Sequence, residues 1–307
     1  MKARHFIIPV IALLAACQQM ELETELPIIE ENTEESEPAD SVTVWSFTLQ
    51  ANKGEGETKA LDLINEGATL NAYWKNTEKV KVYKGGTLLG TLDVTPGAGE
   101  KPTKATLSGS ITTAGLAPGD ILTLRTPGES WNYTGQVGTL ASIETDFDHA
   151  NASVIIGSVD KLNHTITTTG TASFQNQQSI YRFGFKTGGE YFDPKAFTVS
   201  AAGGKLVHSM GWNGSAWTAD YGDISVTPAS APGDHFYYVS LRNDQTSDDT
   251  YNFTITGSDD ALYMASKNIP NSVLDVPGKF ISAKNITATK PDFAPASGEV
   301  SDPTEVL

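Results

Sequence analysis

Cys17 is the only thiol in this 307-residue chain, and its neighbours define the chemistry open to it. Lys2 and Arg4 supply a positive start, and the run from Phe6 to Ala16 is apolar. That run is short of the roughly 20 residues a bilayer-spanning helix needs. Leu14-Ala15-Ala16-Cys17 then sets small residues just before the thiol. The order reads as a secretory signal, residues 1–16, ending at a cleavage site where Cys17 is acylated and becomes the first mature residue. The plainer alternative is an ordinary signal peptide with an incidental cysteine. If the lone thiol carries lipid, the mature chain has no disulfide, no cysteine zinc site and no catalytic cysteine.

Other reactive side chains are plentiful but poorly grouped. His5 leaves with the signal, and His149, His164, His208 and His235 are scattered without metal-protease spacing. Asp146-Phe147-Asp148-His149 is the most ligand-like cluster, although a polar loop between strands explains it as well. Asn243 to Asp249 is dense in side-chain oxygens but lacks the spacing of a calcium loop. Gly97-Ala98-Gly99 opens no helix and reads as a turn, and no nucleophile-elbow serine is present. The expectation is therefore no metal, no cofactor and no enzymatic activity. Two aromatic stretches could stack on a sugar ring: Trp212-Asn213-Gly214-Ser215-Ala216-Trp217 with Tyr221, and Trp131-Asn132-Tyr133. Aromatics of a hairpin capping the core are the commoner explanation.

The formal charge is −16, and loss of Lys2 and Arg4 with the signal deepens it by two. Much of the excess lies in one stretch. Glu21, Glu23, Glu25, Glu30, Glu31, Glu34, Glu35, Glu37 and Asp40 face no basic residue between positions 21 and 40. Like charges extend such a segment, so residues 17–41 read as an acidic tether of at most ~85 Å. The acidity excludes nucleic acid as a partner and argues against broad contact with anionic membranes. No segment after the signal is apolar enough for a membrane helix, so the chain reads as lipid-anchored and otherwise soluble.

The elements that must carry these residues are strands. After Asp40 the chain is rich in Thr, Ser, Gly, Val, Ile and aromatics, in short alternating runs broken by Gly, Pro, Asn and Asp. This is the pattern of an all-β protein. Trp45, Phe47, Leu49 and Ala51 alternate with Ser46, Thr48 and Gln50, giving one strand with an apolar face. Val80 to Lys84, Gly85-Gly86 and Thr87 to Leu92 predict a hairpin. The same logic predicts a second hairpin from Phe197–Ala201 through Gly203-Gly204 to Lys205–His208. Strand spacing predicts two β-sandwiches in tandem, residues 42–171 and 172–290. A proline-bearing tail, 291–307, reads as flexible.

Several of these residues, taken in order, resemble the fimbrillin family, the subunits and relatives of type V pili. They are the stretch ending at Cys17, Glu57-Thr58-Lys59-Ala60, Trp74 followed by Val80-Lys81-Val82-Tyr83, and Trp131 to Leu140. Phe174 to Phe185 and Gly278-Lys279-Phe280 to Lys290 complete the series. The resemblance covers most of the mature chain. It implies two transthyretin-like (immunoglobulin-like) β-sandwich domains on a lipoprotein exposed at the outer membrane or in the fimbrium. It also implies assembly with other pilus subunits by donor-strand exchange, in which a lent strand augments a neighbour's sheet. On this reading Trp45, Phe47 and Leu49 line the exchangeable first strand. Burying them contributes about 1.5–3 kcal/mol each, against about 5–15 kcal/mol for a whole domain. That strand must stay in place or be replaced. Family members that polymerise are cut after a basic residue, often Arg; here the nearest candidates are Lys53 and Lys59, and no Arg lies between Arg4 and Arg125. Phe280, Ile281 and Ile286 belong to the donor or docking strand. The departure at the cleavage site favours an accessory, tip or anchor subunit over a bulk shaft subunit. A host or bacterial surface ligand is a further expected partner, and a glycan-capturing surface lipoprotein is the alternative function.

Overall fold

Period-two alternation builds the first half of the chain. In β1 (Thr43–Asn52), Trp45, Phe47, Leu49 and Ala51 are buried while Val44, Ser46, Thr48 and Gln50 face out. The computed structural model describes residues 42–53, 73–126, 131–274 and 278–291. β2 (Lys79–Lys84) and β3 (Thr87–Pro96) form the predicted hairpin around Gly85-Gly86, with Gly85 at φ +60°. β4 (Lys104–Thr113), β5 (Ile121–Thr126), β6 (Ala150–Asp160) and β7 (Thr165–Thr168) follow. The hydrogen-bonded order is β4-β3-β2-β5-β6-β7-β1, and β1 also pairs with β4.

These seven strands therefore close into a ring, a small barrel, where the alternation had predicted an open two-sheet sandwich. The curl has a local cause where β3 crosses β4. A Cβ at Gly90 would lie 2.4 Å from the carbonyl oxygen of Ser110, and one at Gly109 would lie 2.9 Å from that of Thr91. Glycines at such close approaches let a sheet bend sharply. The closure is uneven. β1 and β4 run antiparallel in unbroken register from Thr43↔Thr113 to Asn52↔Lys104. On its other edge β1 meets β7 only at Ser46↔Thr165 and Phe47↔Ile166, in parallel. Two short strands patch the ring: β8 (Ala172–Ser173) pairs in parallel with the end of β1, and β9 (Gln175–Asn176) pairs with β6.

The second half is a sandwich. β10 (Ser179–Thr187) is buried along most of its length, as a central strand with both faces covered. Antiparallel to it run β11 (Glu190–Tyr191) and, further along the chain, β16 (Tyr237–Leu241). The facing sheet contains β12 (Pro194–Ala201) and β15 (Ile224–Val226), with β17 (Asp249–Gly257) and β18 (Leu262–Ile269). Its order is β15-β12-β17-β18. β13 (Val207–Trp212) and β14 (Trp217–Tyr221) form a separate ribbon. β19 (Phe280–Thr287) joins β10 in parallel. Aromatic edges meet across the core, with Phe183 and Phe253 at 5.0 Å and Phe185 and Phe197 at 5.0 Å.

The predicted hairpin from Phe197 to His208 does not form. Gly204 does make a turn, at φ +65°, but both edges of β12 are already taken by β15 and β17. The Gly203 N–H is held instead by Asp249 Oδ1 at 2.8 Å, and the chain crosses to the ribbon.

The described residues form one compact unit with two large apolar clusters. The predicted dividing line near Thr171 does not separate those clusters cleanly. Phe174 belongs to the first cluster, and Tyr133 to the second. Tyr133 lies in the β5–β6 connection, which leaves the ring and reaches into the sandwich. Its residues pair with the ribbon: Met210 N–H donates to Trp131 O (2.8 Å), and Tyr133 N–H donates to His208 O (3.0 Å). Further on, Thr227 N–H donates to Gln136 O (3.0 Å) and Tyr238 N–H to Gly138 O (2.9 Å). The buried Gln136 side chain acts as a stand-in strand for β16. Its Nε2 donates to Ser240 O (2.8 Å), and its Oε1 accepts from Ser240 N–H (2.7 Å). No helix among the described residues is long and apolar enough to cross a membrane.

Candidate strand-exchange site

The chemistry available to β1 is backbone pairing and apolar burial. Phe47 is fully buried, and Trp45 and Leu49 nearly so. Trp45 meets the His164 ring edge-on at 5.8 Å, across the thin seam with β7. All three predicted side chains thus point into the ring, and removing the strand would open a groove along that core.

Lys53, directly after β1, is not the exposed scissile residue that sequence reading suggested. It is 6% exposed and ion-paired with Glu78. Its Nζ also donates to Tyr73 O (3.1 Å) and sits 4.5 Å from the Trp74 ring centroid. Trp74 in turn packs edge-on against Phe174 at 5.2 Å. A protease must seat an extended chain with the lysine in its pocket, and this lysine is latched inside the fold. Nothing local to Lys53 signals this, because Glu78 and Trp74 lie more than twenty positions away. Lys59 and Cys17 fall outside the described residues.

β19 carries Phe280, Ile281 and Ile286 in register with β10, as Ile180↔Phe280, Tyr181↔Ile281 and Phe185↔Ile286. Ile286 is buried, whereas Phe280 and Ile281 are half-buried. Arg182 ties the strand down through Nε and Nη2 to Ser282 Oγ, at 3.2 and 3.0 Å. Among the described residues β10 is the only strand partner of β19 itself, and just past its end Thr289 exchanges backbone hydrogen bonds with Met264 of β18. The register skips between Phe183 and Phe185, and Asn285 sits at φ +67°. The strand is therefore kinked.

The two aromatic stretches form a clasp between the ring and the sandwich, a packing role of the kind favoured over a sugar platform. The Arg125 guanidinium lies 3.7 Å from the Trp131 ring centroid, 3.8 Å from that of Trp217 and 5.3 Å from that of Tyr83. Burial pulls Arg125 down to about 10. Trp212 is 36% exposed, but one face lies on the β2–β3 turn, where a Cβ at Gly86 would come within 2.1 Å of its ring. These rings already have partners, so they are not open platforms for a sugar. Arg125 was the residue that sequence reasoning missed. Its signal was an arginine closing an apolar strand, a few residues before Trp131.

The remaining candidate clusters resolve into structural roles. His149 is fully buried among Trp131, Tyr133 and Phe147, whose rings all meet it edge-on. Its Nε2 bonds to Asn132 O at 2.7 Å, so that nitrogen carries the proton. Its Nδ1 has no partner among the described residues. Burial, the largest cause, holds the imidazole down to about 3, with a smaller push from Arg125. In the Asn243–Asp249 stretch, Asp249 accepts from Gly203 N, Thr250 N and Asn243 Nδ2, each at 2.8 Å. Those carboxylate oxygens staple a loop. Among the described residues no three His, Cys, Asp or Glu side chains converge as a metal site would require.

The architecture is thus an all-β chain, a closed ring clasped to a sandwich. No protein-family model matches the sequence, and no curated protein matches it. Among solved structures, the chain is similar to a candidate cell adhesion protein from Bacteroides uniformis. The identity is 14% and the TM-score 0.37, with 83% of this chain and 99% of that one covered. It is similar also to a fimbrial assembly protein from Parabacteroides distasonis, at 11% identity and TM-score 0.37, covering 80% and 91%. A third similarity is to the shaft pilin SpaA from Lactobacillus rhamnosus GG, at 10% identity and TM-score 0.32, covering 82% and 100%. Scores of this size fall short of a common overall superposition.

Proposed function

We propose that this chain is a non-enzymatic, structural and adhesive surface subunit of fimbrillin type. It is anchored through lipid on Cys17 and joins other subunits by strand addition. The observation that carries the reading is the first strand itself. β1 supplies Trp45, Phe47 and Leu49 to the ring core, yet on one side it is held by only a thin parallel seam. A strand of that kind can be replaced by an equivalent one but not simply lost. β19 serves better as a docking edge than as a donor, because it is kinked and already seated on β10. The latching of Lys53 supports a subunit that keeps its first strand, which suits an accessory, tip or anchor position over the shaft. The packing of Trp212 and Trp217 removes the support for glycan capture at that loop.

Two experiments test this. Deleting residues 42–52 should give an aggregating or unfolded ring that a synthetic β1 peptide, added in trans, restores to a soluble folded state. A deletion variant that stays monomeric with undiminished stability would refute the exchangeable strand. Separately, Cys17→Ser should release the protein from the membrane fraction, and unchanged retention would refute the anchor.

A further inference from the structure

The inward face of β1 ends on a charge. Alternation turns Trp45, Phe47, Leu49 and Ala51 toward the ring core, and Lys53 takes the next inward position. What receives it is a pocket shaped for one ammonium group. Glu78 Oε1 and Tyr73 O both accept from Nζ, and the Trp74 ring centroid lies 4.5 Å away. An ammonium carries three donors and no acceptor, and it is attracted to the face of an indole. A carboxylate, a carbonyl and a ring face match those properties one by one.

Bonds that do not involve Lys53 hold the pocket in shape. Glu78 Oε2 accepts from Lys75 N–H at 2.7 Å, and Trp74 N–H donates to Pro102 O at 2.8 Å. Its surroundings are equally selective. Ala51, the inward residue before Lys53, has Ala105 beside it on one strand and Ala172 on the other. The same end of β1 also holds the segment that leads into the sandwich. Phe174 N–H donates to Asn52 O at 2.9 Å, and the Phe174 ring packs on Trp74.

We propose that this pocket reads lysine in any strand that takes the place of β1. The inference rests on strand addition as the mode of assembly, and it names the partner. That partner is an extended segment of another subunit, with bulky apolar residues matching Trp45, Phe47 and Leu49. It carries a small residue at the position of Ala51 and lysine at that of Lys53. A neutral residue there would leave the Glu78 side chain, only 19% exposed, without its cation. Turning that carboxylate toward water would cost its bond to Lys75 N–H, so the charge would stay enclosed and unpaired. An acidic residue there would bring two carboxylates together. The chain's own β1 satisfies the whole pattern, so a poorer match cannot displace it.

The test uses the full chain with a protease site inserted after Lys59, cut once after folding so that β1 is held by contacts alone. Labelled peptides spanning Thr43–Lys53, one unchanged and one with Lys53→Met, compete for the groove. Bound label is read by size-exclusion chromatography. The lysine peptide should bind about ten- to a hundredfold tighter, the loss expected for a hydrogen bond to a charged group. In the Glu78→Gln chain the two peptides should bind nearly alike. Equal binding of both to the unaltered chain overturns the lysine pocket and leaves strand addition standing. Full discrimination retained in Glu78→Gln overturns the pocket as well. If Glu78→Gln does not fold, the ratio on the unaltered chain decides. If neither peptide enters, strand addition and the pocket's role in it fall together.

Discussion

Acidifying the protein from about pH 7.5 to about pH 5 should destabilise it through one buried ring. His149 is neutral when folded because burial holds its imidazole down to about 3, against 6.5 for a free histidine. Above pH 6.5 the ring is neutral in both states and costs nothing. Between 6.5 and about 3 the unfolded chain takes up a proton that the folded chain refuses, so stability falls as pH falls. Each unit in that window corresponds to about 1.4 kcal/mol, so the loss at pH 5 is about 2 kcal/mol. The assay is urea unfolding of wild type and of His149→Phe across the window. Phenylalanine keeps the edge-on packing with Trp131, Tyr133 and Phe147 and cannot titrate. It gives up the bond to Asn132 O, which lowers its stability equally at every pH. The stability difference between the two proteins should therefore shrink by about 2 kcal/mol between pH 7.5 and pH 5. Parallel pH curves for the two would refute the assignment of a strongly depressed imidazole.

Replacing Gln136 by Ala strands both backbone groups of Ser240 and should cost about 2–6 kcal/mol in chemical denaturation, at about 1–3 per buried group. A cost under about 0.5 kcal/mol, the level of an ordinary surface change, would mean that water substitutes freely there. Phe47→Ala should cost about 3–5 kcal/mol as a fully buried aromatic, whereas the outward Thr48→Ala should stay within about 0.5 kcal/mol. Equal effects would contradict the inward register of β1. Limited trypsin treatment of the folded chain should leave the Lys53–Gly54 bond intact until global unfolding, as read by mass spectrometry of the fragments. A first cut after Lys53 would show that the latch to Glu78 and Trp74 does not hold.

The elements that could be read in advance were those whose signal is local. The alternation of Trp45, Phe47, Leu49 and Ala51, and the turn at Gly85-Gly86, depend only on neighbouring residues, and both appear as expected. The hairpin around Gly203-Gly204 had the same local signal and failed, because partners some 25 and 50 residues further on had already filled both edges of β12. Ring closure is a property of β1 and β4 together, and no residue of either strand announces it. Most of the candidate site was named at the level of strands. Its decisive contacts were not: Lys53 with Glu78, Arg125 with Trp217, and Gln136 with Ser240 span 25 to 104 positions. The aromatic stretches pack, as the commoner explanation had it, but their partners were not legible: Arg125 reaches Trp217, and the turn at Gly86 meets Trp212, from far along the chain.

Ring closure also sets a clock. An open sheet edge would let an incoming chain add at once, at a rate proportional to its concentration. Under the proposed strand addition, the short seam between β1 and β7 would be the point of entry, but the long ladder to β4 would have to unzip before a newcomer could settle in full. Replacement of β1 would then proceed at the pace of that release, saturating at high donor concentration. Once seated, the newcomer would inherit the same slow escape. Joints made this way would persist through kinetics, without any exceptional equilibrium affinity.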